Sequence, residues 1–230
     1  MAASELPADG SATPAVAVVA ITDRRRMVAD DVLATGDIAA IAAAFAAAVA
    51  RAVADCPPGS VIVQVREKDL DGGPLLALVR AAQRHCDRVV VNDRLDVALA
   101  AGAYGVHLPE RGLAIADARR LAPQLSIGAS RHGPPLDAAP APDLIQLGTI
   151  WPTPSKPGVA TLGEAALAWP HGAACLVAVG GIDTPALAER AATAGADAVA
   201  VIRAAWSGAS LAPFVAAVTR GRSHRRAAPP

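Results

Sequence analysis

The chain has 230 residues, 53% of them hydrophobic, with 21 basic and 21 acidic residues and a formal net charge of zero. Its size allows one globular domain to bury roughly 70–75% of the unfolded surface, so the core needs neither disulfides nor a structural metal. Balanced charge argues against a nucleic-acid partner, and Cys56, Cys86 and Cys175, with no CxxC pair, read as reduced core thiols of a cytoplasmic protein.

Residues 1–14, "MAASELPADGSATP", hold Ser, Pro, Gly and two acidic residues. They read as a disordered tail, and the lack of a basic stretch leading into an apolar core argues against a secretory signal. Eight short apolar runs follow: 16–22, 60–66, 88–92, 104–108, 125–130, 143–148, 176–181 and 197–202. Continuous apolarity of this kind marks strands buried on both faces. Helical segments are expected at 37–54, 74–86, 93–101, 113–121 and 185–194, with a last one from Leu211. Asp93 is a plausible N-cap, Pro185 suits a first helical turn after Thr184, and "AGA" closes helices at 101–103 and 194–196. The alanine-rich run at 38–50 is too short to cross a membrane. The crossover "HGPPLDAAPAP" is too short and proline-rich for a good helix. No glycine fingerprint follows the first strand, so the α/β pattern predicts a (β/α)8 TIM barrel over 15–219 rather than a doubly wound sheet. The basic end, 220–230, reads as a second solvated, disordered tail.

A barrel of this class keeps its active site at the C-terminal ends of the strands. Those ends deliver Thr22 and Asp23; Arg66, Glu67 and Lys68; Asn92 and Asp93; His107 and Glu110; Ser130, Arg131 and His132; Thr153, Ser155 and Lys156; Gly180 and Gly181; and Arg203. Polar residues follow most buried strands, but the chain's only two lysines, against nineteen arginines, both fall at such ends. The set suits a polyphosphate: Arg66, Lys68 and Lys156 supply cations, Asn92, Ser130, Thr153 and Ser155 supply directed donors, and Asp93 suits Mg2+. "GGID" at 180–183 lets backbone approach a second, monophosphate anion. His107 reads as a packed, hydrogen-bonded residue, and "DRRRM" at 23–27 as a solvated loop.

Taken in order, "VREKD", "VNDRLDVALAAGAYGVHL", "GAS-R-H", "LGTIWPTPSKPG" and "VAVGGI" resemble thiamine phosphate synthase and its TenI-like relatives over about residues 16–205. The resemblance implies a reaction joining hydroxymethylpyrimidine diphosphate to thiazole phosphate, with release of pyrophosphate. It implies that Arg66, Lys68, Asn92, Ser130 and Lys156 grip the diphosphate and that Asp93 binds Mg2+. Thr153, Ser155, Gly181 and the backbone at Ile202 and Arg203 fall on the thiazole phosphate side, with Gly180 beside them.

The chain departs from the synthase pattern after "VHL": where the synthases continue Gly-Gln-x-Asp it reads "PERG", so Gly112 replaces the second carboxylate. Glu110 is the candidate substitute ligand. The same stretch resembles the TenI branch, some of whose members are thiazole tautomerases, and for that activity His132 is the expected acid/base group. The synthase is the preferred expectation, because Arg66, Lys68, Asn92, Asp93, Thr153 and Lys156 are all retained. A non-catalytic barrel that binds thiamine precursors is a third alternative. The expected partners are small phosphorylated substrates, with a homodimer as a further expectation and neither nucleic acid nor membrane.

Overall fold

The computed structural model describes residues 16–137, 139–154 and 158–227. Eight strands form the wall: β1 (Val18–Ile21), β2 (Val61–Val65), β3 (Val89–Asn92), β4 (Gly105–Leu108), β5 (Ser126–Arg131), β6 (Leu144–Leu147), β7 (Cys175–Val179) and β8 (Ala198–Val201). Each pairs in parallel with the next, and β8 returns to β1, closing the barrel in sequence order as expected. The strands are mostly shorter than the apolar runs because the ladder stops before the chain does. In β1 it ends at Ile21 opposite Gln64, leaving Thr22 beyond the pairing.

The outer layer contains α1 (Arg24–Met27), α2 (Asp30–Ala34), α3 (Ile38–Val53), α4 (Gly72–Gln83), α5 (Leu95–Ala101), α6 (Ile115–Leu121), α7 (Pro185–Ala194) and α8 (Ala212–Ala227). Local chemistry sets many of the boundaries. The Asp37 carboxylate accepts from the amides of Ala39 and Ala40 at the start of α3. Thr184 caps α7 with Pro185 in its first turn, and Gly102, at φ 57°, closes α5. Ile41, Phe45, Val49 and Ala52 line the buried face of α3, and enclosing a side chain such as Phe45 contributes roughly 2–3 kcal/mol. Among the described residues no helix joins β5 to β6, and only a 3-10 turn, Glu164–Ala168, lies between β6 and β7.

Two apolar cores result. The larger lies between wall and helices; the smaller fills the barrel with Val19, Ile21, Ile62, Val90, Val177 and Ala200 among others. No helix among the described residues is long and apolar enough to cross a membrane.

Three expectations are corrected. The basic run from Arg220 is the last part of α8 as far as Ala227, so the folded unit extends past 219. Its arginines are held by specific acceptors: buried Arg222 donates to the Val16 and Asp197 carbonyls, and Arg225 to the Gly195 carbonyl and, at 2.9 Å, to Asp197. "DRRRM" contains the turn of helix α1 and is tied down by ion pairs. Asp93 does not cap α5, whose N-cap is Arg94. Asp93 instead takes a left-handed φ of 67° and donates its amide to the His107 carbonyl at 2.8 Å.

Candidate active site

At the C-terminal ends of the strands, the apolar filling of the barrel gives way to a polar floor. Gln64 and Gln146 are buried amides in otherwise apolar strands, β2 and β6, on opposite sides of the wall. Gln146 Nε2 donates to Gln64 Oε1, and Gln64 Nε2 donates to Asn92 Oδ1 at 3.1 Å, so the row crosses the barrel. Beside it His107 Nε2 and Ser130 Oγ are 2.8 Å apart. Burial, reinforced by the nearby positive charge of Arg66, pushes the His107 pKa down to about 4. Neutral at ordinary pH, His107 serves the floor as a hydrogen-bonding group, in keeping with its packed reading.

At the same end of the barrel opens a cavity of about 620 Å³ built by the ends of β1, β2, β6, β7 and β8. Among the described residues six cations line it: Arg24, Arg25, Arg26, Arg66, Lys68 and Arg203. Four are engaged by carboxylates. Arg24 pairs with Glu67 at 3.1 Å and Asp69 at 2.6 Å, Arg25 with Asp69 at 3.1 Å, Arg26 with Asp23 at 3.0 Å and Arg203 with Asp183 at 3.6 Å. Arg66 and Lys68 are exposed and have no carboxylate partner among the described residues. Across the cavity, Gly180 (φ 104°) and Gly181 (φ 74°) bring backbone against the loop after β6. A Cβ on Gly181 would come within 2.7 Å of Trp151 Cβ, and one on Gly180 within 2.5 Å of Thr149 Cγ2, so both the φ and the close approach require glycine.

A family model described as thiamine monophosphate synthase matches residues 18–205, which include the polar floor and all six cavity cations. The chain belongs to the thiamine monophosphate synthase family.

Relatives support that placement. The chain is 38% identical over 199 residues to a thiamine-phosphate synthase of Anaeromyxobacter dehalogenans, covering 79% of this chain and 87% of that protein. It is 35% identical over 182 residues to a thiamine-phosphate synthase of Gloeobacter violaceus, covering 71% of this chain and 52% of that protein. A Mycobacterium bovis relative of the same name is 43% identical over 122 residues, which are 46% of this chain and 55% of that protein. The chain thus spans about half the length of several curated relatives it matches. Among solved structures it is similar to a thiamine phosphate pyrophosphorylase from Pyrococcus furiosus, at TM-score 0.62 and 25% identity, covering 93% of this chain and 97% of that one.

Within this family member the expected residues fall into two groups. Arg66, Lys68, Thr153, Gly180, Gly181, Ile202 and Arg203 all line the cavity. Asn92, Asp93, Glu110, Ser130 and His132 occupy the ends of β3 to β5, outside its lining. Ser155 and Lys156 lie outside the described residues. Glu110 has its own partner: its two carboxylate oxygens meet His132 Nδ1 at 2.7 Å and the His132 amide at 3.3 Å. That contact holds the Glu110 carboxyl below its usual range against the opposing effect of burial. A Cβ at Gly112 would lie 3.3 Å from Asp93 Oδ1, so an aspartate there would bring its carboxylate beside Asp93. Among the described residues no group of three His, Cys, Asp or Glu side chains is arranged to hold a metal.

Thr22, Glu67 and His107 stand in the sequence as strand-end residues with no part assigned in the site, and Gln64 and Gln146 lie outside the expected set. The available signal for the amides was a polar residue inside an apolar strand, "VIVQV" and "LIQL". A buried amide without a partner is costly, so each implied a partner across the barrel.

Proposed function

We propose that this chain joins hydroxymethylpyrimidine diphosphate to thiazole phosphate, forming thiamine phosphate and pyrophosphate. The observation that carries the reading is the pair of exposed cations, Arg66 and Lys68, which among the described residues have no carboxylate partner, on a rim where the other four described cations are paired. A site left with two available cations favours an anionic group that gathers charge during the reaction. As the methylene–oxygen bond breaks, its electron pair leaves with the diphosphate, and fixed cations there lower the barrier without a general base. The thiazole nitrogen then donates its lone pair to the pyrimidine methylene cation, a step that needs orientation more than proton transfer. Thr153 and the backbone at Gly180, Gly181 and Ile202 suit the thiazole phosphate on the far wall, with Arg203 adding charge. Asn92, Ser130, Ser155 and Lys156 complete the proposed contacts.

Mg2+ is part of this proposal. It takes one or two carboxylates and completes its shell with phosphate oxygens and water, and Asp93 is exposed with no cationic partner among the described residues. This donor set fits an ion that arrives with the diphosphate and neutralises part of its charge. Glu110, held by His132, is less suited to join it.

The Glu110–His132 pair favours a second reading, proton transfer on a thiazole phosphate carboxylate, with His132 as the acid/base group. The two readings separate in one assay. The first expects pyrophosphate release matched by thiamine phosphate when both precursors are supplied, and lost on chelation of Mg2+. Isomerisation of the thiazole without pyrophosphate release would overturn it.

A further inference from the structure

We infer that Thr22 and Glu67 are positioning residues, which hold Arg66 and Lys68 at the diphosphate end of the cavity through hydrogen bonds that extend the β1–β2 pairing beyond its ladder. The inference rests on the reading of those two cations as the diphosphate grip.

The ladder between β1 and β2 ends at Ile21 and Gln64, and one further backbone bond runs from the Thr22 amide to the Gln64 carbonyl at 2.9 Å. Beyond that point side chains replace backbone. The Thr22 hydroxyl accepts the Arg66 amide at 2.9 Å and donates to Glu67 Oε1 at 2.7 Å. The same carboxylate oxygen accepts the Arg24 amide at 3.1 Å, and Oε2 accepts the Arg24 guanidinium at 3.1 Å. Thr22 and Glu67 are both buried, whereas Arg66 and Lys68, on either side of Glu67, are exposed. The segment carrying both site cations is therefore anchored at its middle and at the Arg66 amide.

The charge arrangement adds a second consequence. A carboxylate between two cations would ordinarily compete for them. Here Arg24 occupies both Glu67 and Asp69, reaching Asp69 with two nitrogens at 2.6 and 2.7 Å. Neither carboxylate is then left to draw Arg66 or Lys68 into an internal ion pair. Burial raises the Glu67 pKa, and the bonds from Thr22 and Arg24 oppose that rise only in part. Misplacing a binding group by about 1 Å can cost on the order of a hundredfold in rate, so an anchor at this point bears directly on the diphosphate.

The test uses the full chain and its Thr22→Val, Thr22→Ser, Glu67→Gln and Arg66→Ala variants. Inorganic pyrophosphate binding is measured by calorimetry in Mg2+, and KM is measured for each precursor. Thr22→Val keeps the shape but removes the hydroxyl. It should weaken pyrophosphate binding about tenfold and raise KM for the diphosphate substrate alone, while Thr22→Ser should restore both. Glu67→Gln, which turns an amide donor toward the Arg24 guanidinium, should move both quantities the same way and carries the test if Thr22→Val does not fold. Binding within twofold of wild type in both variants, with Arg66→Ala still weakened, would overturn the positioning role alone, as would an equal rise in both KM values. Undiminished pyrophosphate binding by Arg66→Ala would remove the reading of the site and this inference with it.

Discussion

The two ends of the barrel use arginine in opposite ways. At the mouth, Arg66 is exposed and, like Lys68, has no carboxylate partner among the described residues, although four neighbouring cations are paired. At the other end Arg222 and Arg225 reach backbone carbonyls just before β1 and β8, and Arg225 also grips Asp197. The first arrangement leaves charge available to a ligand and the second consumes it in holding the fold. Availability, not the mere presence of basic residues, distinguishes the site.

That contrast breaks if substitutions at the two ends have similar effects. Arg66→Ala should reduce thiamine phosphate formation by at least about a hundredfold, the scale for losing a fixed charge opposite a developing anion, while leaving the denaturant midpoint close to wild type. Arg222→Ala should do the reverse. Stranding the Val16 and Asp197 carbonyls and removing a buried guanidinium should cost on the order of 3 kcal/mol in chemical denaturation, with turnover per folded molecule retained.

His107 sharpens the comparison through pH. Its folded pKa of about 4 lies below the ordinary 6.5, so the unfolded chain binds the extra proton between those values. Stability from this group is fully present above about pH 6.5 and falls as pH drops through the window, by on the order of 3 kcal/mol in total. Equilibrium unfolding of wild type and His107→Asn across that range should show the steeper loss in wild type. At the bottom of the scale, Asp69→Asn removes the half-exposed carboxylate that Arg24 and Arg25 share and should change stability by less than about 1 kcal/mol.

Much of the fold is legible in the sequence because buried parallel strands leave continuous apolar runs and because caps act locally. Thr184, Pro185 and Gly195 bound α7 as their chemistry predicts. The extent of α8 was not legible in the same way: "RGRSHRR" has the composition of a solvated tail, and only the carbonyls assembled by folding give its arginines partners. The same limit applies at the mouth. Arg66 and Lys68 stand out in the sequence, yet their lack of carboxylate partners among the described residues depends on Arg24 reaching Glu67 and Asp69 more than forty residues away. Glu110 and His132 are 22 residues apart, and no local pattern pairs them.

The most direct test of the contrast is calorimetric binding of inorganic pyrophosphate, with Mg2+, to wild type, Arg66→Ala, Lys68→Ala and Arg225→Ala. The expected result is a loss of affinity of tenfold or more in each mouth variant and affinity within twofold of wild type for Arg225→Ala. Equal affinity across all four proteins, or a loss confined to Arg225→Ala, would contradict the assignment of the anion site to the mouth of the barrel.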